Sequence, residues 1–337
     1  MTASRSVPAP TPAPALSVER LSCRIDTPRG TARLLQDVDF SLARGRTLGI
    51  VGESGAGKSM LIKALLGIAP RAATVEGDVT LAGVALGPLS ESARRRHIGR
   101  RVGIVFQNPM TSLNPFVRVG RQLTEASRLH LKLTKRQAKA LAVDLIASVG
   151  IADAAECFDQ YPHQFSGGMK QRLMIAAALT CEPDLLIADE ATTALDVTVQ
   201  KEILDLLQRI QRERGMAMIL VTHDLGIVAG RTDEVAVMYA GRIVEHGTTA
   251  AVFRPRHRYT EALLAAMPRM DLPMHARLAT ISGRPPDLIQ PIAGCAFAPR
   301  CGIASPHCTG ALPPAWAADP DGHRYSCHHP ADAEATA

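Results

Sequence analysis

The sequence predicts an α/β fold with a core of mostly parallel sheet, an inserted helical subdomain and a small irregular C-terminal extension. Three observations carry that expectation. "TLGIVGESGAGKSMLIKALLGI" runs from a short apolar strand through a glycine-rich loop into an apolar-faced helix that starts at about Lys58. "DLLIADE" and "MAMILVTHD" are continuous apolar runs of strand length ending in charged or polar residues, and "QKEILDLLQRIQRER" between them spaces Ile203, Leu207 and Ile210 for one helix face. From about Asn108 to Thr180, helical patterns such as "KRQAKALAVDLIASVG" occur with no clear strand. Strand, helix and strand in succession imply parallel strands covered by helices, with functional residues at the C-terminal strand edges.

In chain order, "MTASRSVPAPTPAPA" alternates proline and alanine and buries nothing, so residues 1–15 are expected to be a disordered tail. The tail has no apolar stretch of the kind an export signal needs. Residues 16–265 form the core unit, opened by "LLQDVDFSLARG", which alternates apolar and polar residues as a strand with one buried face does. The helical subdomain occupies about 108–180. From about Pro268 onward proline and glycine become frequent and periodicity fades, so 266–337 is expected to be a separate extension. There is no internal repeat.

The chain has 337 residues, 46% of them apolar, enough to fill a real core. Its 38 basic and 32 acidic residues leave a net charge of +6 without a long basic run, which argues against a nucleic-acid partner; contact with an anionic membrane face remains a second reading. No window approaches the roughly 18 consecutive apolar residues of a membrane span. The chain is therefore expected to work in the cytoplasm, where seven cysteines favour buried, catalytic or metal-bound thiols over a disulfide framework.

"GESGAGKS" fits the phosphate-loop pattern G-x-x-x-x-G-K-[ST] with Gly52, Glu53, Ser54, Gly55, Ala56, Gly57, Lys58 and Ser59. Backbone N–H groups curl around phosphate oxygens, Lys58 offers a cation to the β and γ phosphates, and the Ser59 hydroxyl ligates Mg²⁺. A ligand-free glycine turn is the bland alternative, but the strand before it and the helix after it are what the mechanism demands. "LLIADE" places Asp189 at a strand end to hold Mg²⁺ and Glu190 beside it to polarise a water. Acidic residues often end strands merely because the chain reaches solvent, so the pair gains its weight from the phosphate loop. His223, ending "ILVTH", has the same kind of position; a lone histidine is more often structural. "FSGGMKQR" offers a second cradle of backbone N–H groups at Ser166, Gly167 and Gly168, and a single nucleotide needs only one.

With that second cradle the sequence resembles the ATP-binding-cassette ATPases over roughly residues 16–265, which implies a P-loop ATPase core. "GESGAGKS", "VFQNP" with Gln107, "FSGGMKQR", "LLIADE", "TALD" with Asp196 and "THD" with His223 stand in the family order. The resemblance implies two cassettes closing head to tail around two ATP molecules, so that Ser166, Gly167 and Gly168 of one cover the nucleotide of the other. It gives Glu190 the role of base or water-orienting group, Gln107 that of sensing Mg²⁺ and the γ-phosphate, and His223 that of stabilising the transition state. Ser59, Gln107 and Asp189 then surround Mg²⁺, and Asp196 belongs to the nucleotide interface.

"FQNPMTSLNP", "SGGMKQRLMIAAAL" and "TTALDVTVQ" look like the importer ATPases for di- and oligopeptides, whose relatives handle nickel, and Met169 suits the D-type subunit. The implied assembly has two integral membrane permease subunits, a second paralogous ATPase and an external solute-binding protein, with the chain peripheral on the cytoplasmic face of the inner membrane. Nickel or metal-chelate import is the alternative substrate reading. A soluble cassette ATPase of translation or repair fits less well, since those usually carry two cassettes or a long coiled-coil insertion. Two positions depart from the family: Ala191 replaces proline after the glutamate, which is expected to loosen that turn slightly, and Ile25 stands where an aromatic residue often stacks on adenine.

"GCAFAPRC" matches the peptide-importer pattern GC-x-F-x-x-RC, followed by Cys308 and Cys327. In some relatives the four cysteines resemble a [4Fe–4S] site. Here Cys295, Cys301, Cys308 and Cys327 are separated by five, six and eighteen residues and can converge on one centre, iron–sulfur or zinc, though a C-x-x-C zinc knuckle is missing. Its role is expected to be structural, outside the catalytic constellation. Cys23, Cys157 and Cys181 are isolated and read as small semi-buried residues.

Overall fold

The computed structural model describes residues 13–107, 112–192, 196–267 and 279–332. Most of the expected tail, Asn108 and Pro109 of "VFQNP", and Thr193 to Leu195 of "TALD" lie outside them. The chain opens with β1 (Leu16–Thr27) and β2 (Gly30–Leu42), paired antiparallel. β3 (Thr47–Val51) leads through the glycine loop into α1 (Lys58–Leu65), so the helix starts where its pattern placed it. β4 (Ala73–Leu81) and β5 (Val84–Ala85) complete a four-stranded antiparallel sheet in the order β2-β1-β4-β5, which the sequence pattern had not revealed.

After α2 (Glu91–Arg101), β6 (Val102–Val105) returns to the main sheet. α3 (Val119–His130), α4 (Lys135–Ser148) and α5 (Gly167–Ala178) then form the helical region, and no strand occurs among the described residues between 112 and 180. α4 begins with a capping box in which Thr134 accepts from the Gln137 N–H and the Gln137 side chain answers the Thr134 N–H, satisfying two donors the helix leaves open.

β7 (Leu185–Asp189), α6 (Val197–Arg214) and β8 (Ala217–Thr222) follow as the strand–helix–strand unit expected. Asp196 caps α6 by accepting from Val199 N–H, Gly215 ends it at φ 60°, and Ile203, Leu207 and Ile210 are buried along its inner face. β9 (Glu234–Tyr239) and β10 (Arg242–Thr248) make a hairpin, and α7 (Arg258–Ala265) closes the core unit.

The main sheet runs β11-β12-β10-β9-β3-β8-β7-β6, with parallel pairing from β9 through β6. Its central strands β3, β7 and β8 are buried on both faces. Leu48, Ile50, Leu185, Ile187, Ile219 and Val221 face a core shared with β1 and β2, while Leu186, Ala188, Met218 and Leu220 face one shared with the helices. One consequence is a straight row of strand ends at the C-terminal edge, where β3, β6, β7 and β8 all deliver polar residues.

The extension is less separate than its composition suggests. β11 (Ala317–Ala318) and β12 (Arg324–Tyr325) add to the main sheet through β10, with Glu245 opposite Tyr325. Glu245 is fully buried and accepts from the N–H groups of Arg256 (2.6 Å) and His257 (3.0 Å), with His323 Nε2 at 2.8 Å, so one carboxylate joins core and extension. Burial lowers the pKa of His257 to about 4, and its Nδ1 accepts the Tyr259 N–H at 3.0 Å, fixing the first turn of α7. Two-residue strands carry no periodicity, which is why this pairing is invisible in the sequence.

Candidate nucleotide site

The phosphate loop follows the end of β3. Gly52 has no room for a side chain, because a Cβ would lie 2.3 Å from the Met238 carbonyl oxygen, and Gly57 caps α1 at φ 107°, a conformation only glycine adopts freely. The first turn of α1 contains no acidic side chain, so its open N–H groups face an anion without competition. The Lys58 ammonium donates to the carbonyls of Gly52 (2.6 Å) and Glu53 (3.1 Å) and lies 3.7 Å from Glu190 Oε1. Burial lowers the Lys58 pKa, against the upward pull of Glu190 and Asp189.

Glu190 is the meeting point of three other residues. Gln107 Nε2 donates to its Oε2 at 2.7 Å, while Lys58 Nζ and His223 Nδ1 each lie 3.7 Å from its Oε1. These residues come from the ends of β6, β7, β8 and the start of α1. Glu190 has φ 46°, a left-handed conformation that costs an ordinary residue roughly 1 kcal/mol. Its N–H donates to the Val221 carbonyl at 3.0 Å and Ala191 beyond it is buried, so the turn is held by β8 and the core.

A cavity of about 320 Å³ is lined by Ser54, Gly55, Gly57, Lys58, Ser59, Gln107 and Glu190 together with Leu34, Met60 and Leu288. Leu288 belongs to the extension, where its carbonyl accepts the Arg33 N–H at 3.0 Å. Ile25 does not line the cavity; its apolar wall is Leu34, Met60 and Leu288.

Asp189 fits a cation. Its Oδ1 is buried with no hydrogen-bond partner, and burial followed by the Glu190 charge raises its pKa. An orphaned carboxylate oxygen beside the phosphate loop is costly unless a cation or its water completes it. Ser59 and Gln107 line the phosphate-loop cavity and Asp189 directly precedes its Glu190, so these oxygen donors suit Mg²⁺.

The remaining expected residues stand elsewhere. Ser166 caps α5 by accepting from Met169 N–H, and Ser166 and Gly167 are exposed with open space around Gly167. Neither they, Gly168 nor Asp196 line the phosphate-loop cavity.

The four C-terminal cysteines do converge, lining one small cavity of about 20 Å³, and all are free thiols. Gly294 makes this possible, since a Cβ there would lie 2.2 Å from the Cys308 carbonyl, which accepts the Cys295 N–H at 2.7 Å. Burial raises the pKa of Cys295 and Cys327. Among the described residues, however, no group of three or more histidine, cysteine or acidic side chains is placed to hold a metal ion, so the arrangement does not by itself supply the metal centre expected from the spacing. Cys23, Cys157 and Cys181 are buried and isolated, as expected.

Two residues that sequence reasoning passed over touch the phosphate loop. The Tyr259 hydroxyl accepts the Glu53 N–H at 2.8 Å, and Arg300 forks onto the Glu53 carboxylate at 2.6 and 3.0 Å. The arginine of the "RC" pair was the available signal, but nothing in linear spacing ties it to residue 53.

Residues 35–193 match the family described as "ABC transporter", and residues 244–308 match "Oligopeptide/dipeptide transporter, C-terminal region". The chain is 48% identical over 289 residues to the dipeptide transport ATP-binding protein DppD of Bacillus subtilis, covering 85% of this chain and 86% of that protein. It is 46% identical over 299 residues to the oligopeptide transport ATP-binding protein OppD of Escherichia coli, 88% of each, and 45% identical over 326 residues to OppD of Salmonella typhimurium, 96% of each. Among solved structures, CbiO1 of Clostridium perfringens, part of the ABC transporter complex CbiONQ, superposes with TM-score 0.61 at 30% identity over 71% of this chain and 90% of that one. The dimeric ATP-binding cassette MJ0796 bound to ADP and phosphate gives TM-score 0.61 at 22% identity over 69% and 98%, a likeness of fold.

Proposed function

The chain belongs to the ABC transporter ATPases, and on that premise we propose that it is the ATP-hydrolysing subunit energising import of di- and oligopeptides. ATP is the substrate of this family and Mg²⁺ its metal. The observation that carries the reading is the joining of a phosphate-loop cavity to a Glu190 carboxylate held by Gln107, on a chain whose extension matches the peptide-transporter C-terminal region.

The α1 N-terminus and the loop N–H groups bind the phosphates of ATP, and Lys58 turns from its two backbone carbonyls toward the β and γ phosphates. Glu190 orients water on the γ-phosphorus; the new P–O bond forms as the bond to the β-phosphate oxygen breaks, leaving ADP and phosphate. Gln107 holds Glu190 in place, and His223 donates toward the γ-phosphate as charge develops. Ser59, Gln107 and Asp189 would hold Mg²⁺, which would neutralise phosphate charge.

Ser166 and Gly167, exposed at the start of α5 with Gly168 beside them and outside their own chain's cavity, support closure over the nucleotide of a partner ATPase, with Asp196 at the interface. We assign that partner as a paralogous subunit of a heterodimer. Two permease subunits and an external solute-binding protein complete the complex. No described helix is long and apolar enough to cross a membrane, which suits a peripheral subunit on the cytoplasmic face. The division into a tail at 1–15, a cassette at 16–265 with its helical subdomain at about 108–180, and an extension at 266–337 belongs to this reading.

In the extension we propose that Cys295, Cys301, Cys308 and Cys327 take up a [4Fe–4S] cluster, with zinc the alternative; the GC-x-F-x-x-RC pattern and the convergence of the four thiols support it, and binding requires them to shift from their present placement. Iron, sulfide and zinc measured per chain after anaerobic purification check this. About four irons and four sulfides, lost on Cys301→Ser, are expected; one zinc would change the metal, and no metal would leave four packing thiols.

The function is tested by ATP hydrolysis of the assembled complex with peptide-loaded or nickel-loaded binding protein. Stimulation by the peptide-loaded form is expected. Stimulation by the nickel-loaded form alone would overturn the peptide assignment.

A further inference from the structure

Glu53 puts a carboxylate into a loop that binds a polyphosphate. The structure shows how that charge is answered. Arg300, in the turn between Cys295 and Cys301, donates from Nη1 to Glu53 Oε2 at 2.6 Å and from Nη2 to Oε1 at 3.0 Å. Its side chain is only 3% exposed. The other donors are also engaged: Nε to Ser282 O (2.9 Å), Nη1 to Tyr239 Oη (3.3 Å) and Nη2 to Ile281 O (3.3 Å). A guanidinium with all five N–H groups used has one available position, and a carboxylate forked onto it inherits that position.

Glu53 transmits the constraint to the catalytic lysine. Its N–H is held by the Tyr259 hydroxyl and its carbonyl accepts from Lys58 Nζ. The rings of Tyr239, Tyr259 and Phe297 pack beneath, with centroids 4.5 to 5.5 Å apart, and Phe297 comes from the same "GCAFAPRC" turn. The cysteine-bearing turn is thus in direct contact with the nucleotide site, whereas its sequence position suggested a purely structural role.

We infer that Arg300 is a positioning residue for ATP, which neutralises Glu53 and fixes the phosphate loop from the side opposite the nucleotide, making the C-terminal extension part of the ATPase. This rests on the ATP-site reading above. Removing the guanidinium alone leaves the half-buried Glu53 carboxylate unneutralised within the loop that must hold the triphosphate; removing both groups leaves none. A merely structural contact would be hurt at least as much by the double change as by the single one.

The test is the KM for ATP and the kcat of the assembled, peptide-stimulated complex with Arg300→Gln, with Glu53→Gln plus Arg300→Gln, and with Lys58→Ala as reference. Arg300→Gln is expected to raise KM about tenfold or more while kcat changes less, and the double variant to return KM to within about threefold of the parent. A KM for Arg300→Gln within about twofold of the parent, with Lys58→Ala impaired, overturns the inference and leaves the ATP site standing. A double variant no better than the single also overturns it. Lys58→Ala without effect would reject the ATP-site reading itself. If Arg300→Gln fails to assemble, Arg300→Lys replaces it: a KM increase reversed by adding Glu53→Gln is expected, and an unreversed or absent increase counts against the inference.

Discussion

Replacing Glu190 by glutamine lowers ATP hydrolysis by the assembled complex about 10²-fold or more and leaves MgATP binding intact. The substitution conserves shape and keeps a hydrogen-bond acceptor for Gln107, whose Nε2 lies 2.7 Å from Glu190 Oε2. What disappears is the negative charge that polarises water. Lys58, 3.7 Å from Oε1, loses an ionic neighbour but keeps its two backbone carbonyl acceptors. Turnover and equilibrium ATP binding measured on the same preparation separate the two effects. Near-parental turnover with an intact partner ATPase would remove Glu190 from the chemistry.

Lys58→Ala is expected to act on binding, weakening MgATP about 10- to 100-fold, the scale on which charge-assisted hydrogen bonds to phosphate contribute. Lys58 is 4% exposed and its ammonium already has two carbonyl acceptors in the loop, so its removal also leaves the Gly52 carbonyl without that donor. Titration of nucleotide into the full chain measures the loss. The contrast between the two variants, one failing in turnover and the other in affinity, distinguishes a hydrolytic site from a nucleotide-binding site that lacks chemistry.

The parallel core was legible because its strands are buried on both faces: "LLIAD" and "AMILVT" have nowhere else to go, and the residues that end them are polar for a reason other than solubility. The grouping of Lys58, Glu190 and His223 was legible because each follows the end of a recognisable strand, whereas Gln107 was named only through the family resemblance; the structure brings all four together. β4 and β5 were not legible, since their outer residues are exposed and mixed in character. Nor was the contribution of the extension. Leu288 in the cavity wall, β12 beside β10 and Arg300 on Glu53 depend on pairings across 80 to 255 residues, where neither periodicity nor a motif records which partner is met. The cysteines show the opposite limit: their spacing raises the expectation of one metal centre, and the four thiols line one small cavity, yet no group among the described residues is arranged to hold a metal ion.

The most direct measurement is ATP-dependent peptide accumulation by proteoliposomes containing the complete complex, with either the parent chain or its Glu190→Gln variant. Accumulation that requires ATP and peptide-loaded binding protein, and that is abolished by the variant, is expected if the geometry around Glu190 drives import. Equal accumulation with the two chains would contradict that account.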